Sequence, residues 1–242
     1  MTQPSVLITG AARGLGRALA LCFAKNKFRV GVNYFQSEFQ AQSLAQEIKK
    51  LGGEPLLLKA DISDSVQVKK MFSQLFEKWN FLDVLINNAG VTRDKTILKM
   101  SDEEWNQVIR TNLNGPFWCL REYAQLMTPQ KKGSVINIGS IVAVRGALGS
   151  SNYAASKAGL IALTKSAARE LGRFNICVNL VLPGFHLTDM NKNFWPQHEE
   201  RIRAEHVLPQ LTDLNEFTEF IVDLSQKKSV SGQIFNFDSR II

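Results

Sequence analysis

Cysteine is scarce in this 242-residue chain: Cys22, Cys119 and Cys177 lie far apart and include no CxxC pair. An odd number of distant cysteines frames neither a disulfide scaffold nor a zinc site, and reads as small buried hydrophobes in a reducing compartment. Histidine is equally rare. His186, His198 and His206 show no ligand spacing of the HExxH kind, so no metal is expected. No apolar run approaches the ~18 residues of a membrane span, and the opening MTQPSVLITG lacks the basic start and long apolar stretch of a secretion signal. Repeats, low-complexity tracts and Pro/Ser linkers are missing as well. These absences leave a soluble, cytoplasmic globular protein with one domain over residues 1–242.

The chain is 45% hydrophobic and 21% charged, ordinary globular values that need no covalent staple. Its net charge of +7 comes from 29 basic and 22 acidic residues. The basic residues are scattered in short doublets, with no arm and no aromatic-interleaved stripe, so nucleic acid is not an expected partner. A solvated surface and an acidic ligand or partner both remain compatible with that charge.

Short β-branched runs alternate with longer segments whose apolar residues recur at helical spacing. The strands predicted are 5–9, 29–34, 55–60, 82–87, 134–139, 176–182 and 232–237. Near-continuous apolar strands alternating with helices predict an α/β fold: one doubly wound (Rossmann) parallel sheet of about seven strands with helices on both faces. The stretch 186–213 fits no strand and is long for a connection, which suggests a substrate lid.

The first strand runs into VLITGAARGLGRALA, with Gly10, Gly14 and Gly16 ahead of a helix. Glycines allow a tight turn and a close approach of backbone N–H groups to a diphosphate, and the helix aims its positive end at the same place. The spacing GxxxGxG departs from GxGxxG, but its position between first strand and helix points to a nucleotide. The second strand ends VNYFQS, with Asn33 and Tyr34 where an NAD site would keep a carboxylate. Arg13 in the glycine turn suits a 2′-phosphate. These features favour NADP(H), although Glu38 lies near and the strand end offers no second cation.

In SSNYAASKAGL, residues 150–160, Tyr153 and Lys157 stand one helical turn apart and share a face. Bringing a phenol from a pKa near 10 toward neutrality takes about 3 units, or roughly 4 kcal/mol. A unit charge at ~4 Å with an effective dielectric of ~20 provides about that much. Lys157 is therefore expected to make Tyr153 a usable general acid–base. Ser140 ends the fifth strand and NNAG (87–90) the fourth, both on the carboxyl edge where such sheets bind ligands.

With these residues in view, the chain resembles a short-chain dehydrogenase/reductase over nearly its whole length. The likeness rests on TGxxxGxG at 9–16, Asp61, NNAG, Asn112, Ser140, YxxxK and PGFHLTDM at 183–190. It implies that Tyr153 protonates a substrate oxygen while hydride passes to the carbonyl carbon. Lys157 would lower the Tyr153 pKa and bind the nicotinamide ribose, Ser140 would bind the substrate oxygen, and Asn112 would hold a proton-relaying water. The implied cofactor set is Gly10, Arg13, Gly14, Leu15, Gly16, Asn33, Tyr34, Asp61, Ile62, Asn88, Ala89, Gly90, Tyr153, Lys157, Pro183, Gly184 and Thr188.

Residues 90–118 and 152–172 resemble in particular the 3-oxoacyl-[acyl-carrier-protein] reductases of fatty acid synthesis. That likeness implies an acidic carrier protein docked by basic residues flanking the site mouth, here Lys132 and Arg173, with Lys131 and Arg169 in reserve. It also implies a homotetramer, with a dimer as fallback. Two stretches depart from the pattern. NKNFWPQHEERIRAEHVLPQLTDLNEF follows Met190, where Phe194 and Trp195 could line an acyl channel, and NFDSRII replaces a closing VDGG. A reductase of quinones, sugars or polyketides stays open as an alternative, as does a non-catalytic cofactor-binding scaffold.

Overall fold

A computed structural model describes residues 3–186 and 195–242, the latter with side chains from residue 199 onward. The strands are β1 (Ser5–Ile8), β2 (Arg29–Tyr34), β3 (Pro55–Lys59), β4 (Val84–Asn87), β5 (Gly133–Ile138), β6 (Ile176–Leu182) and β7 (Ile234–Asn236). All pair in parallel in one sheet of order β3-β2-β1-β4-β5-β6-β7. The helices are α1 (Gly14–Lys25), α2 (Glu38–Lys50), α3 (Ser65–Trp79), α4 (Asp102–Ile109), α5 (Gly115–Met127), α6 (Val142–Arg145), α7 (Ser151–Leu171), α8 (Trp195–Ala204) and α9 (Leu214–Gln226). Every predicted strand is present, most of them trimmed at the ends. Within 186–213 the structure contributes α8 and, among the described residues, no strand.

The period of two along each strand divides the core in half. Val6, Ile8, Val30, Val32, Ile86 and Ile136 are fully buried on the face covered by α1, α2 and α9. Leu7, Leu85, Val135 and Val178 are fully buried on the opposite face, against α3, α5 and α7. With both faces dry, the strands carry apolar residues at consecutive positions, which is why they read as unbroken apolar runs. Helices α3, α4 and α9 begin where polar side chains cap them. The Asp64 carboxylate accepts from the N–H groups of Val66 and Gln67, and Ser101 forms a reciprocal capping box with Glu104.

The strand order reverses direction between β1 and β4. Their carboxyl ends therefore open a crevice, the place where sheets of this kind bind ligands. The amino edge lies at the far end of every strand. α7 runs from one edge to the other, and its 21 residues span about 30 Å at 1.5 Å per residue.

Candidate active site

The glycine turn after β1 is built for close approach. Gly10 has a φ of +63°, and a Cβ there would stand 2.9 Å from Ala89 Cα. At Gly16 a Cβ would run into the Gly10 carbonyl and lie 2.6 Å from Asn88 Nδ2. Only glycine fits at either position. Thr9 locks the two strand ends together: its buried hydroxyl accepts from the N–H groups of Asn88 and Ala89 at 2.9 and 3.0 Å. The Asn88 amide donates back to the Thr9 carbonyl at 2.9 Å. This turn precedes α1 and leaves Arg13 and Gly14 exposed. A surface without side chains, at a helix N-terminus on the sheet's crevice, fits a dinucleotide diphosphate.

Other expected cofactor residues have structural duties. Asn33 is buried, its oxygen accepting from Gly10 N–H at 3.2 Å and its amide donating to the carbonyls of Leu58 and Ala60, both at 3.1 Å. Its side chain thus braces the glycine turn and is not available to a ribose. Tyr34 is buried in the core beside α1 and α2, and Ile62 packs into the opposite core and against Gly115. Asp61 lies at the β3 edge, where its carboxylate accepts from the N–H and hydroxyl of Ser63, both at 2.8 Å. Leu15 rests partly buried on the core, and Gly90 lies beside Asn112. Pro183 and Gly184 follow β6, Gly184 with a φ of +80°. Thr188 and Phe194 lie outside the described residues, as does the Trp195 side chain.

The strand end does have a second cation, contrary to the sequence reading. Register pairs Tyr34 with Lys59 across β2 and β3, and Lys59 Nζ stands 2.9 Å from Glu38 Oε2. The two residues are 21 apart in sequence, so only the sheet brings them together.

Four side chains converge beyond the ends of β4 and β5. α7 begins at this edge and carries Tyr153 and Lys157 on one face. Ser140, just past β5, hydrogen-bonds with the Tyr153 phenol. Lys157 is buried, donates to the Ile138 carbonyl at 2.7 Å, and has Nζ 5.7 Å from the centroid of the Tyr153 ring. A Cβ on Gly90 would stand 3.3 Å from Asn112 Oδ1 and 3.9 Å from Lys157 Nζ, so asparagine and lysine flank one small gap. Asn112 lies in a wide π-type turn, Arg110–Asn114, between α4 and α5. Pro116 has no N–H for the Asn112 carbonyl four residues back, which favours such a widening. The Asn112 side chain closes a reciprocal pair with Val91, accepting from its N–H at 2.8 Å and donating to its carbonyl at 2.9 Å.

The electrostatics depart from expectation. Burial pushes the Tyr153 phenol above its ordinary value, against a smaller opposing effect of the Ser140 hydrogen bond. Burial also holds Lys157 down at about 8. The lysine is committed to a main-chain carbonyl, and desolvation disfavours the charged form of both groups. The phenol is thus a neutral proton donor, and the anticipated depression by Lys157 is not present in this geometry.

Asn152 was not anticipated. It is fully buried, its amide donating to the Arg93 and Glu104 carbonyls at 3.0 and 3.3 Å, its oxygen accepting from Tyr153 N–H at 2.7 Å. It ties α4 and the segment after β4 to the residue that carries the phenol. In sequence nothing separates such a residue from a solvated first-turn asparagine.

The expected docking cations are not at this site. Lys132 directly precedes β5 and pairs with Asp83 at 3.0 Å, and Arg173 lies in the short turn Gly172–Phe174 ahead of β6. Lys131 and Arg169 are neighbours at the same end. All four stand at the amino edge, the length of α7 away from Tyr153 in this protomer. Lys132 and Arg173 precede their strands whereas Ser140 follows β5, which sets the two groups at opposite edges of a parallel sheet.

The comparisons with known proteins agree with this geometry. A family model described as short chain dehydrogenase matches residues 4–199. A 3-oxoacyl-[acyl-carrier-protein] reductase FabG of Staphylococcus aureus strain Mu50 is 39% identical over 95% of this chain and 94% of its own length. The protein of the same name from Staphylococcus epidermidis strain ATCC 35984 is 37% identical, with 95% of each chain covered. A 3-oxoacyl-[acyl-carrier-protein] reductase of Synechocystis is 36% identical over 100% of this chain and 98% of its own. With the glycine turn, the carboxyl-edge quartet and the near-full-length matches in agreement, this chain belongs to the short-chain dehydrogenase family.

Proposed function

We propose that the protein reduces the 3-oxo group of an acyl thioester carried on acyl carrier protein, using NADPH, in fatty acid synthesis. The observation that carries this reading is the convergence of Ser140, Tyr153, Lys157 and Asn112 at the crevice beside the glycine turn. The substrate class is supported by the names of the relatives, each matched over at least nine-tenths of its length.

A nicotinamide dinucleotide, when bound, would supply the hydride. Tyr153, neutral at pH 7, donates its phenolic proton to the substrate oxygen, so that the carbonyl gains one hydride and one proton and becomes an alcohol. The Ser140 hydroxyl holds that oxygen next to the phenol. Lys157 would hold the cofactor's ribose and return a proton to the phenol, with Asn112 flanking it. NADP(H) over NAD(H) is supported by the exposed Arg13 and by Lys59, which offsets Glu38 at the strand edge. A net charge of +7 draws an acidic carrier over long range, but docking at a protomer's own mouth does not run through Lys132 or Arg173. The half-exposed Trp105 and Phe117 on α4 and α5 support association of copies, as a homotetramer or a dimer. The buried free thiols of Cys22, Cys119 and Cys177 suit the cytoplasm. Among the described residues no helix is long and apolar enough to cross a membrane.

The test is NADPH oxidation with carrier-linked 3-oxoacyl thioesters of graded length, against a panel of ketones, sugars and quinones, with NADH in parallel. Preference for the thioesters and for NADPH is expected. Turnover of quinones or sugars alone would overturn the substrate assignment, and activity unchanged in Tyr153→Phe would favour a scaffold.

A further inference from the structure

The sequence ends in NFDSRII, and nothing in the reaction above uses it. In the structure these residues enclose a chain of alternating charges. Asp238 has a fully buried side chain, and its carboxylate takes both Nη2 and Nε of Arg240, at 2.5 and 2.7 Å. Arg240 is itself held in place: its carbonyl accepts from the Asn236 amide at 2.7 Å. On the far side its guanidinium comes within 4.0 Å of Glu205, just past α8, and Glu205 in turn lies 3.5 Å from Arg145 of α6. His206 lies against the same carboxylate, with Nε2 3.9 Å from Asp238 and Nδ1 2.7 Å from the Ile202 carbonyl. The main chain follows suit, Leu208 N–H donating to the Ser239 hydroxyl at 3.3 Å.

These contacts join the segments that follow β5 and β6 at the carboxyl edge to the end of α8. Arg145 ends the short helix that begins two residues after Ser140. A Cβ on Gly184, in the turn after β6, would stand 2.8 Å from Asp238 Cβ. Glu205 and His206 follow α8 directly. An arrangement in which +, −, + and − alternate across three segments of distant sequence fixes their relative position more firmly than any one pair. Two of the groups are buried, so the network has little freedom to rearrange.

We propose that the carboxyl-terminal Asp238–Arg240 pair, bridged through Glu205 to Arg145, is a positioning device that holds α8 against the segment carrying Ser140 and so sets the substrate side of the site. This rests on the carbonyl-reductase reading of that site. The residues act through α8 and α6 and touch neither cofactor nor reacting atoms.

The test starts at the exposed end of the network, because removing Asp238 or Arg240 would leave a buried charge unpaired and endanger folding. Glu205→Gln and Arg145→Gln each break the bridge where it is about two-fifths exposed. Loss of one such ion pair should speed amide hydrogen exchange in α8 about two- to fivefold. The KM for the carbonyl substrate should rise by a similar factor, while kcat and the NADPH dissociation constant stay within about twofold and Tm hardly moves. The double variant Arg145→Gln/Glu205→Gln should move both readouts no further than Glu205→Gln alone, because the two residues act through one bridge. Lys227→Gln, which breaks an exposed pair with Asp223 on α9, should change neither.

Exchange in α8 unchanged in both single variants would overturn the proposal, as would faster exchange without a change in KM or a lower Tm with α8 untouched. KM is taken with whichever carbonyl the enzyme turns over. Failure of the thioester assignment therefore shows as a different preferred substrate, and failure of the clamp as an unmoved α8.

Discussion

Two tyrosines of this chain meet opposite fates. Tyr123 and Tyr153 both have phenols raised by burial, yet only one suits catalysis. Tyr123 sits at the amino edge, fully buried, and its hydroxyl donates to the Asp83 carbonyl at 2.8 Å and accepts from Ser134 N–H at 2.9 Å. A Cβ on Gly133 would run into that hydroxyl, so no group can enter beside it. Tyr153 sits at the carboxyl edge, only partly buried, with a serine hydroxyl for a partner and a lysine under its ring. A perturbed phenol is therefore not a sufficient sign of a site. The difference lies in the partners: main-chain groups fix Tyr123 for good, whereas mobile protons surround Tyr153.

The sharpest way to break this comparison is to remove each hydroxyl in turn. Tyr153→Phe should lower kcat about 10²–10⁴-fold, the usual worth of a positioned general acid, with little loss of Tm. Steady-state rates and thermal melts on the same preparation check both halves.

Lys157→Met comes next. Burial lowers Lys157 from 10.5 to about 8, so between those values the folded chain binds fewer protons than the unfolded one. Stability contributed by this group therefore rises with pH from about 8 to 10.5, and the full penalty is present below 8. The variant should lose most activity yet melt about 2–8 °C higher at pH 7 in the absence of cofactor. The gap from wild type should close as pH approaches 10. A lower Tm at pH 7 would show that the hydrogen bond to Ile138 outweighs desolvation.

Tyr123→Phe should do the reverse of Tyr153→Phe. It leaves the Ser134 N–H without its partner and removes the donor to Asp83, at a cost of about 1–3 kcal/mol, while kcat stays within about twofold. Denaturant melts measure it, and a large fall in kcat with unchanged stability would erase the distinction between the two phenols.

The smallest effect belongs to the amino edge. Lys132→Gln breaks an exposed pair with Asp83, worth about 0–1 kcal/mol. It should leave turnover of a free ketone unchanged, which steady-state assays will show. A several-fold loss of kcat on that ketone would mean that the two edges are coupled through β5.

Much of this was legible in the sequence. Seven strands, the glycine turn and the YxxxK spacing are local patterns, and each follows from the φ angles, periods and side-chain volumes of neighbouring residues. Asn112 was legible as a residue but not as part of a π-type turn, because the widening arises where Pro116 meets the carbonyl of a preceding helix. Asn33 read as a cofactor residue because it ends β2, yet its amide is engaged by the adjacent strand. Lys132 and Arg173 stand at the amino edge because they precede β5 and β6, an outcome that chain order and a parallel sheet together fix.

Local chemistry thus determined the elements and the residue types of the candidate site, for those depend on neighbours a few positions away. Only the tertiary structure decided that Lys59 offsets Glu38, that burial raises the Tyr153 phenol despite its lysine, and that Arg240 at the chain's end reaches Arg145 beside the site. Desolvation and long-range pairing depend on what other segments bring alongside, and no spacing within one segment encodes that.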